Sequence, residues 1–305
     1  MRRPTTRACG LREMDNVVGI VVPVYYGRRY LRQTLESIFG QDFPRSFSVV
    51  VVEDGTPLSD CSEDICRDFP VSYVYRSENR GVMASRLEGA NLLSDSEYLA
   101  FLDQDDQWQR NFLSRMTEYL DEDPALGLVV CNARLIEDGH GQTLYDKRIP
   151  SLLLDDLKVA NQIISPSQAL LRTVAWKAAG LAGEVRGGAD DWLMWLAILA
   201  KGYRAQYAKE LLLDYRIHAS GAHNDRHKMI QSERHVVDQW FLKLGFAQAD
   251  QRRFYGRVAF DGLVEGLRAH NWSLMLQSMG QGIRDPWAFN AAVQFRRRHK
   301  AQGLV

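Results

Sequence analysis

The sequence predicts an α/β fold: a Rossmann-like, mostly parallel sheet with helices on both faces, followed by a C-terminal helical appendage. Three observations carry that prediction. Short, β-branched apolar runs alternate with segments of helical period through the first 136 residues. Acidic and aromatic residues gather just past the ends of those runs, where open parallel sheets bind their ligands. From about residue 225 the pattern becomes helical and more polar, without repeats or low-complexity tracts.

VVGIVVPVYYG (17–27) reads as a fully buried parallel strand ended by Pro and Gly. RRYLRQTLESIFGQ (28–41) follows as a helix, with Tyr30, Leu31, Leu35, Ile38 and Phe39 on one face and Gly40 at its end. FSVVVVEDG (47–55) is a second strand, SDCSEDICRDF (59–69) a short helix and VSYVYR (71–76) a third strand. GVMASRLEGANLLS (81–94) is a helix and EYLAFLD (97–103) a fourth strand. WQRNFLSRMTEYLDED then forms a helix stopped before Pro124, and LGLVVCNARLI (126–136) a further strand. After a mixed stretch to about 189, DDWLMWLAILAKG (190–202) reads as a buried helix. YRAQYAKELLLDYRIH (203–218) has strand character toward its end, and RDPWAFNAAVQFRRRHK (284–300) closes the chain as a basic, aromatic-bearing helix. The expected organisation is a mobile tail (1–15), an α/β domain (16–220) and a helical region (221–305).

The 305 residues carry 38 basic and 38 acidic side chains, which argues against a dominant nucleic-acid role and leaves room only for local patches. Cys9, Cys61, Cys66 and Cys131 are scattered, without a CxxC pair, which suits a reducing cytosol better than a disulfide framework or a zinc site. MRRPTTRACGLREMDN lacks the apolar stretch of a signal peptide, and WLMWLAILA (192–200) is half the roughly 18 residues a membrane span needs. A soluble, cytoplasmic protein is expected.

The strand ends bring four groups to one rim: Pro23, Tyr25 and Tyr26; Glu53, Asp54 and Gly55; the loop Ser77-Glu78-Asn79-Arg80-Gly81; and Asp103, Gln104, Asp105 and Asp106. AFLDQDDQW (100–108) crowds three carboxylates that repel one another unless a cation sits beside them. Mg²⁺ or Mn²⁺, which prefer carboxylate and phosphate oxygens, suit the place. The competing reading has Asp105 and Asp106 capping the next helix.

VVPVYYGRRYLRQTLESIFGQDFPRSFSVVVVEDGTPLSD, NRGVMASRLEGANLLSDSEYLAFLDQDDQW and GGADDWLMWLAILAKGYRAQYAKELLLDYRIH resemble, in order, the blocks of glycosyltransferase family 2 from about residue 17 to 220. The resemblance implies a GT-A fold and transfer of a sugar from a nucleotide donor with inversion. It implies a metal gripped by Asp105, with Asp103 near the ribose or a metal-bound water, and a nucleobase held by Asp54 against Tyr25. A carboxylate only accepts, which suits the ring N–H of uracil and makes a UDP-sugar the first choice of donor. Tyr26 stands where the family usually has Asn, and Glu53 replaces its usual first Asp. Arg86 matches the family's Arg in the central helix; it and Arg80, in the preceding loop, pair with donor groups or are surface arginines.

Asp191, at the start of the 190–202 helix, matches the family's base, the group that takes the acceptor hydroxyl's proton. The competing reading is a helix cap, a role Asp190 could fill instead. A helix N-terminus is expected to lower the Asp191 pKa. His218 matches a histidine that approaches the metal or diphosphate. His223 and His227 read as surface residues, Trp192 and Trp195 as core, and SPSQALLR (165–172) as part of the acceptor side. The resemblance implies an acceptor hydroxyl on a glycan or lipid-linked molecule. Arg296, Arg297, Arg298 and Lys300, beside Trp287 and Phe289, suggest peripheral membrane contact through Trp287–Lys300; the alternative is a solvated helix packed on the rest. Two rival functions are a sugar-phosphate nucleotidyltransferase, whose glycine- and arginine-rich phosphate loop PVYYGRRYL lacks, and a catalytically silent binding module.

Overall fold

The computed structural model describes residues 17–137, 140–144, 149–182, 188–218 and 226–301. The expected N-terminal tail and His223 lie outside the described residues. The chain order is β1 (Val18–Val24), α1 (Leu31–Phe39), β2 (Phe47–Asp54), α2 (Glu63–Cys66), β3 (Ser72–Arg76), α3 (Val82–Leu92), β4 (Tyr98–Phe101), β5 (Gln107–Trp108) and α4 (Phe112–Glu122). It continues with β6 (Leu126–Glu137), β7 (His140–Thr143), α5 (Leu154–Leu157), β8 (Ala169–Arg172), α6 (Thr173–Ala179), α7 (Asp190–Leu199) and β9 (Arg204–Arg216). Four helices follow: α8 (Arg226–Trp240), α9 (Gln248–Arg268), α10 (Trp272–Arg284) and α11 (Pro286–Ala301).

The described strands form one sheet in the order β3-β2-β1-β4-β8-β6-β9-β5, with β7 on the flank of β6. The first four pair in parallel, as the β-α-β alternation predicts. Beyond β4 the sheet is mixed: β8 runs antiparallel to both β4 and β6, and β5 antiparallel to β9. The helix expected from Trp108 starts only at Phe112, because Gln107 and Trp108 pair with Asp214 and Leu213 of β9.

Alternation along the central strands builds two apolar layers. Val21, Val50 and Val52 face α3 and α7, whereas Ile20, Val22, Val49 and Val51 face Leu31, Leu35 and Ile38 of α1 and Phe112 and Met116 of α4. All ten residues of α7 are buried, so this helix is surrounded, as its continuous apolar sequence requires. Trp192 and Trp195 are core residues. The polar C-terminal helices reach into the same layer: Val236, Val237, Phe241, Phe246, Phe254 and Val258 pack in one cluster with α7.

One glycine fixes the rim. Gly55 follows β2 at φ +79, and a Cβ there would lie 2.2 Å from the Asn79 nitrogen. The tip of β2 and the loop before α3 can therefore touch only because residue 55 has no side chain.

Candidate active site

The strand tips enclose a cleft of about 680 Å³, a size that suits a small-molecule ligand. Its walls include Pro23, Tyr25, Asp54, Arg86, Asp103, Asp105, Asp191 and His218. Eight of the ten residues that the sequence singled out thus meet at one surface. The other two are corrections. Glu53 is fully buried on the opposite face of β2, where its Oε2 accepts from the Ser62 N–H (3.0 Å) and the Tyr73 hydroxyl (3.4 Å). Arg80 contributes its backbone N–H, to Asp54 Oδ1 (3.0 Å), and its side chain is not part of the wall.

Asp54 is held at the back of the cleft. Its Oδ1 accepts from Arg80 N–H and Arg76 Nη1 (3.2 Å), and its Oδ2 from Gly81 N–H (2.8 Å). A carboxylate has about four lone-pair sites, so one remains, on Oδ2. Tyr25 stands at the mouth, 47% exposed, with its N–H given to Gln104 Oε1 (2.8 Å). Its ring meets that of Tyr26 edge-on, with centroids 4.7 Å apart. Tyr26, at φ 50, is fixed by donating its N–H to Thr56 Oγ1 (3.0 Å).

The acid cluster divides its work. Asp103 Oδ1 accepts from Arg86 Nη2 (2.7 Å). Asp105 Oδ2 lies 2.7 Å from His218 Nε2. Asp106 turns away from the cleft: its Oδ1 takes the Arg216 N–H (3.0 Å), and Ser165 Oγ donates to its Oδ2 (3.4 Å). It caps no helix; it ties the end of β9 to the β4–β5 turn and so brings His218 alongside Asp105. The Thr34 hydroxyl braces the same turn against α1, reaching the carbonyls of Gln104 and Asp106 (2.9 and 2.8 Å). Burial first, then the Asp103 charge, pushes the Asp105 carboxyl above its ordinary pKa, against the pull of His218. A cation beside Asp105 would reverse that cost.

Across the cleft, Asp191 is buried at the start of α7, with Asn161 Nδ2 3.5 Å from both of its oxygens. Burial, and next the charge of Asp190, hold its pKa well above the ordinary carboxylate value; Arg86 and the Trp192 N–H oppose this and lose. The expected lowering by the helix N-terminus is thus corrected: desolvation outweighs the dipole. Asp190 is no cap either, since its carboxylate pairs with Arg86 Nη1. Arg86 is correspondingly not a surface arginine. It is buried between Asp190 and Asp103 and links the acid cluster at the tip of β4 to the start of α7.

Several residues shape this site without a role of their own being readable from the sequence, although Gln104 stands in the expected rim and Ser167 in SPSQALLR (165–172). Arg76 pairs with Asp54 and with Glu88, Ser167 Oγ accepts the Asp103 N–H (3.0 Å), and Gln104 exchanges two hydrogen bonds with the Tyr25 backbone. Their partners lie up to 79 positions away, so no local pattern announces them. Among the described residues, no group of three or more His, Cys, Asp and Glu is arranged to hold a metal. Asp105 and His218 make at most a two-ligand site, and a hard cation there would draw its remaining oxygens from phosphate and water, a usual arrangement for Mg²⁺. The residues present fit such an ion.

This sheet, with its cleft at the strand tips, is the GT-A architecture of glycosyltransferases. TarS from S. aureus, residues 1–349 in complex with UDP-GlcNAc, superposes with a TM-score of 0.66 over 94% of this chain and 83% of that one, at 18% identity. The mannosyltransferase PcManGT from Pyrobaculum calidifontis, in complex with GDP-Man and Mn²⁺, does so with a TM-score of 0.58 over 95% and 76% of the two chains, at 19% identity. At such identities the likeness shows the fold alone. Residues 19–179, over half of the sequence, match the family model of glycosyl transferase family 2, and the chain belongs to that family. It is an enzyme of the glycosyltransferase class.

Among its relatives, TuaG of Bacillus subtilis (strain 168), a glycosyltransferase assigned to teichuronic acid biosynthesis, is 27% identical over 216 residues, 66% of this chain and 79% of TuaG. The minor teichoic acid biosynthesis protein GgaA of the same organism is 29% identical over 119 residues, 36% of this chain but only 26% of GgaA.

Proposed function

We propose that this chain is a metal-dependent inverting glycosyltransferase, moving a sugar from a UDP-sugar to a hydroxyl of a glycan or lipid-linked acceptor. The relatives' names favour cell-wall polysaccharide as the product class, and we infer that the work is done on the cytosolic side. One observation carries the reading: Asp54, Asp103, Asp105, His218 and Asp191 line a single cleft. Membership of family 2 removes the nucleotidyltransferase alternative.

In this reading uracil lies against Tyr25 and donates its ring N–H to the free lone pair of Asp54 Oδ2. Asp103 lies by the ribose. Asp105 and His218 would hold the Mg²⁺ or Mn²⁺, whose chemistry is to neutralise charge on the departing diphosphate. Asp191 accepts the proton of the acceptor hydroxyl. The hydroxyl oxygen bonds to the anomeric carbon from the face opposite the leaving group, and the bond from that carbon to the diphosphate oxygen breaks. The electron pair leaves with UDP, so the configuration inverts. The raised pKa of Asp191 makes it a stronger base than an ordinary carboxylate.

A thermal-shift series with UDP, GDP and their sugars, with and without Mn²⁺, tests the reading. Ligand at about 100 Kd adds roughly 2.7 kcal/mol of stability, so UDP with Mn²⁺ should raise Tm by several degrees. EDTA should remove most of that rise. A stabilisation by GDP alone would contradict the choice of base, and one indifferent to EDTA would contradict the metal.

A further inference from the structure

The C-terminal helices carry a surface that the transfer reaction does not use. A membrane contact through Trp287–Lys300, within α11, is expected from the sequence, but several side chains of that helix are spent internally. Ala288, Ala292 and Phe295 are buried, Phe289 packs edge-on against Phe260 of α9, and Arg296 pairs with Asp261 (3.1 Å). The exposed apolar surface is on α10. Its inner side lies on α9, where Ser278 approaches Gly262 and Met275 approaches Gly266. Its outer side shows Trp272 (69% exposed), Leu276 (68%), Met279 (44%) and Ile283 (74%). At 3.6 residues per turn these four fall within about 60° of arc. Trp287, just past the end of α10, is 51% exposed, with the Arg252 guanidinium 5.0 Å from its ring centroid. Ser273, Gln277 and Arg284 occupy a separate side. Such amphipathic order is not the scatter of single exposed apolar residues that soluble surfaces carry.

Charge selects the occupant. The whole chain is neutral, yet residues 266–301 hold six Lys and Arg against one carboxylate, Asp285. That carboxylate is already paired with Arg252 (2.7 Å). Arg296 pairs with Asp261 and Arg298 with Asp156, which leaves four of the six as excess. Helix α10 has no acidic residue. An apolar row that begins with a tryptophan, in a region with an excess of cations, matches an anionic lipid surface: the row enters the headgroup–acyl boundary and the excess cations meet the phosphates. A second copy would instead oppose basic surface to basic surface. We propose that α10, with Trp287, is a membrane-docking face that binds anionic bilayers peripherally. The claim does not depend on which sugar or nucleotide the cleft takes.

The full chain is mixed with vesicles of phosphatidylcholine alone, or with about 30 mol% phosphatidylglycerol, and floated on a density gradient. Binding is expected only to the anionic vesicles, falling as salt rises. The Leu276→Glu/Ile283→Glu double variant should bind at least about tenfold more weakly while melting like the parent, since both positions are exposed. Quenching by brominated lipid, compared between the parent and Trp272→Phe, gives a second reading on a minimally altered protein. Equal flotation of parent and double variant, no flotation of the parent, or no Trp272-dependent quenching would overturn the proposal. So would sedimentation showing a stable dimer that the double variant dissociates, which would assign the row to a second copy.

Discussion

Asp191→Asn is expected to lower turnover by roughly 10²–10⁴-fold and to leave donor and metal binding intact. Asparagine keeps the shape and the contacts to Asn161 and the Trp192 N–H, but it cannot take a proton from the acceptor. The parent enzyme should show the titration of this group. A base must be ionised to work, and burial beside Asp190 raises the Asp191 pKa well above the ordinary 3.8. The rate therefore falls as pH drops through the raised value, and the acid limb of kcat/KM lies above the usual carboxylate range. In Asp191→Asn that limb should vanish with the activity, while calorimetric titration with UDP and Mn²⁺ returns an unchanged Kd. Parent-like turnover would remove Asp191 from the role of base.

Arg86→Met carries the second large effect, on stability and activity together. The guanidinium sits among three carboxylates. Burial works against its charge, but Asp190, Asp103 and Asp191 more than offset that and keep it firmly protonated. Removing one partner of a buried ion pair costs about 3–5 kcal/mol, because the remaining charges stay buried and uncompensated. A fall in Tm of roughly 6–10 °C is expected, with activity lost because Asp103 and the start of α7 are no longer tied together. Arg86→Lys separates the two consequences. Lysine keeps the charge, but as a point it cannot reproduce the fork that reaches Asp103 and Asp190 at once. That variant should recover most of the stability and little of the rate. Parent-like melting and turnover in Arg86→Met would show that the bridge organises nothing.

The fold was legible where burial is extreme. β1 to β4 are continuous apolar runs, and a strand covered on both faces needs no finer pattern. β8 was not read: ALLR is four residues long and follows SPSQ, so neither length nor alternation marks it. The first half of β9, RAQYAKE, is polar and half-exposed, and it is a strand because Leu126 to Val130 of β6 offer it a partner. The acids of the cleft were legible from their place after strands, although their division of labour was not. Glu53 is the exception that a closer count would have caught. It shares parity with Val49 and Val51, which face α1 and α4, whereas Asp54 shares parity with Val50 and Val52, which face α3 and the loop that begins it. The upward shift at Asp191 and the inward turn of Arg86 follow from a wholly buried α7 meeting the tip of β4, a tertiary fact with no local signature.

In the proposed reaction a cation at Asp105 and a proton acceptor at Asp191 serve one bound donor. Crystals grown with UDP and MnCl₂, measured at the manganese edge, test this most directly. One strong anomalous peak is expected in the cleft, within bonding distance of Asp105 and of the diphosphate, with uracil against Tyr25 and the Asp191 carboxyl facing the space beyond the β-phosphate. UDP bound in that cleft without manganese, or manganese seated away from Asp105, would contradict it.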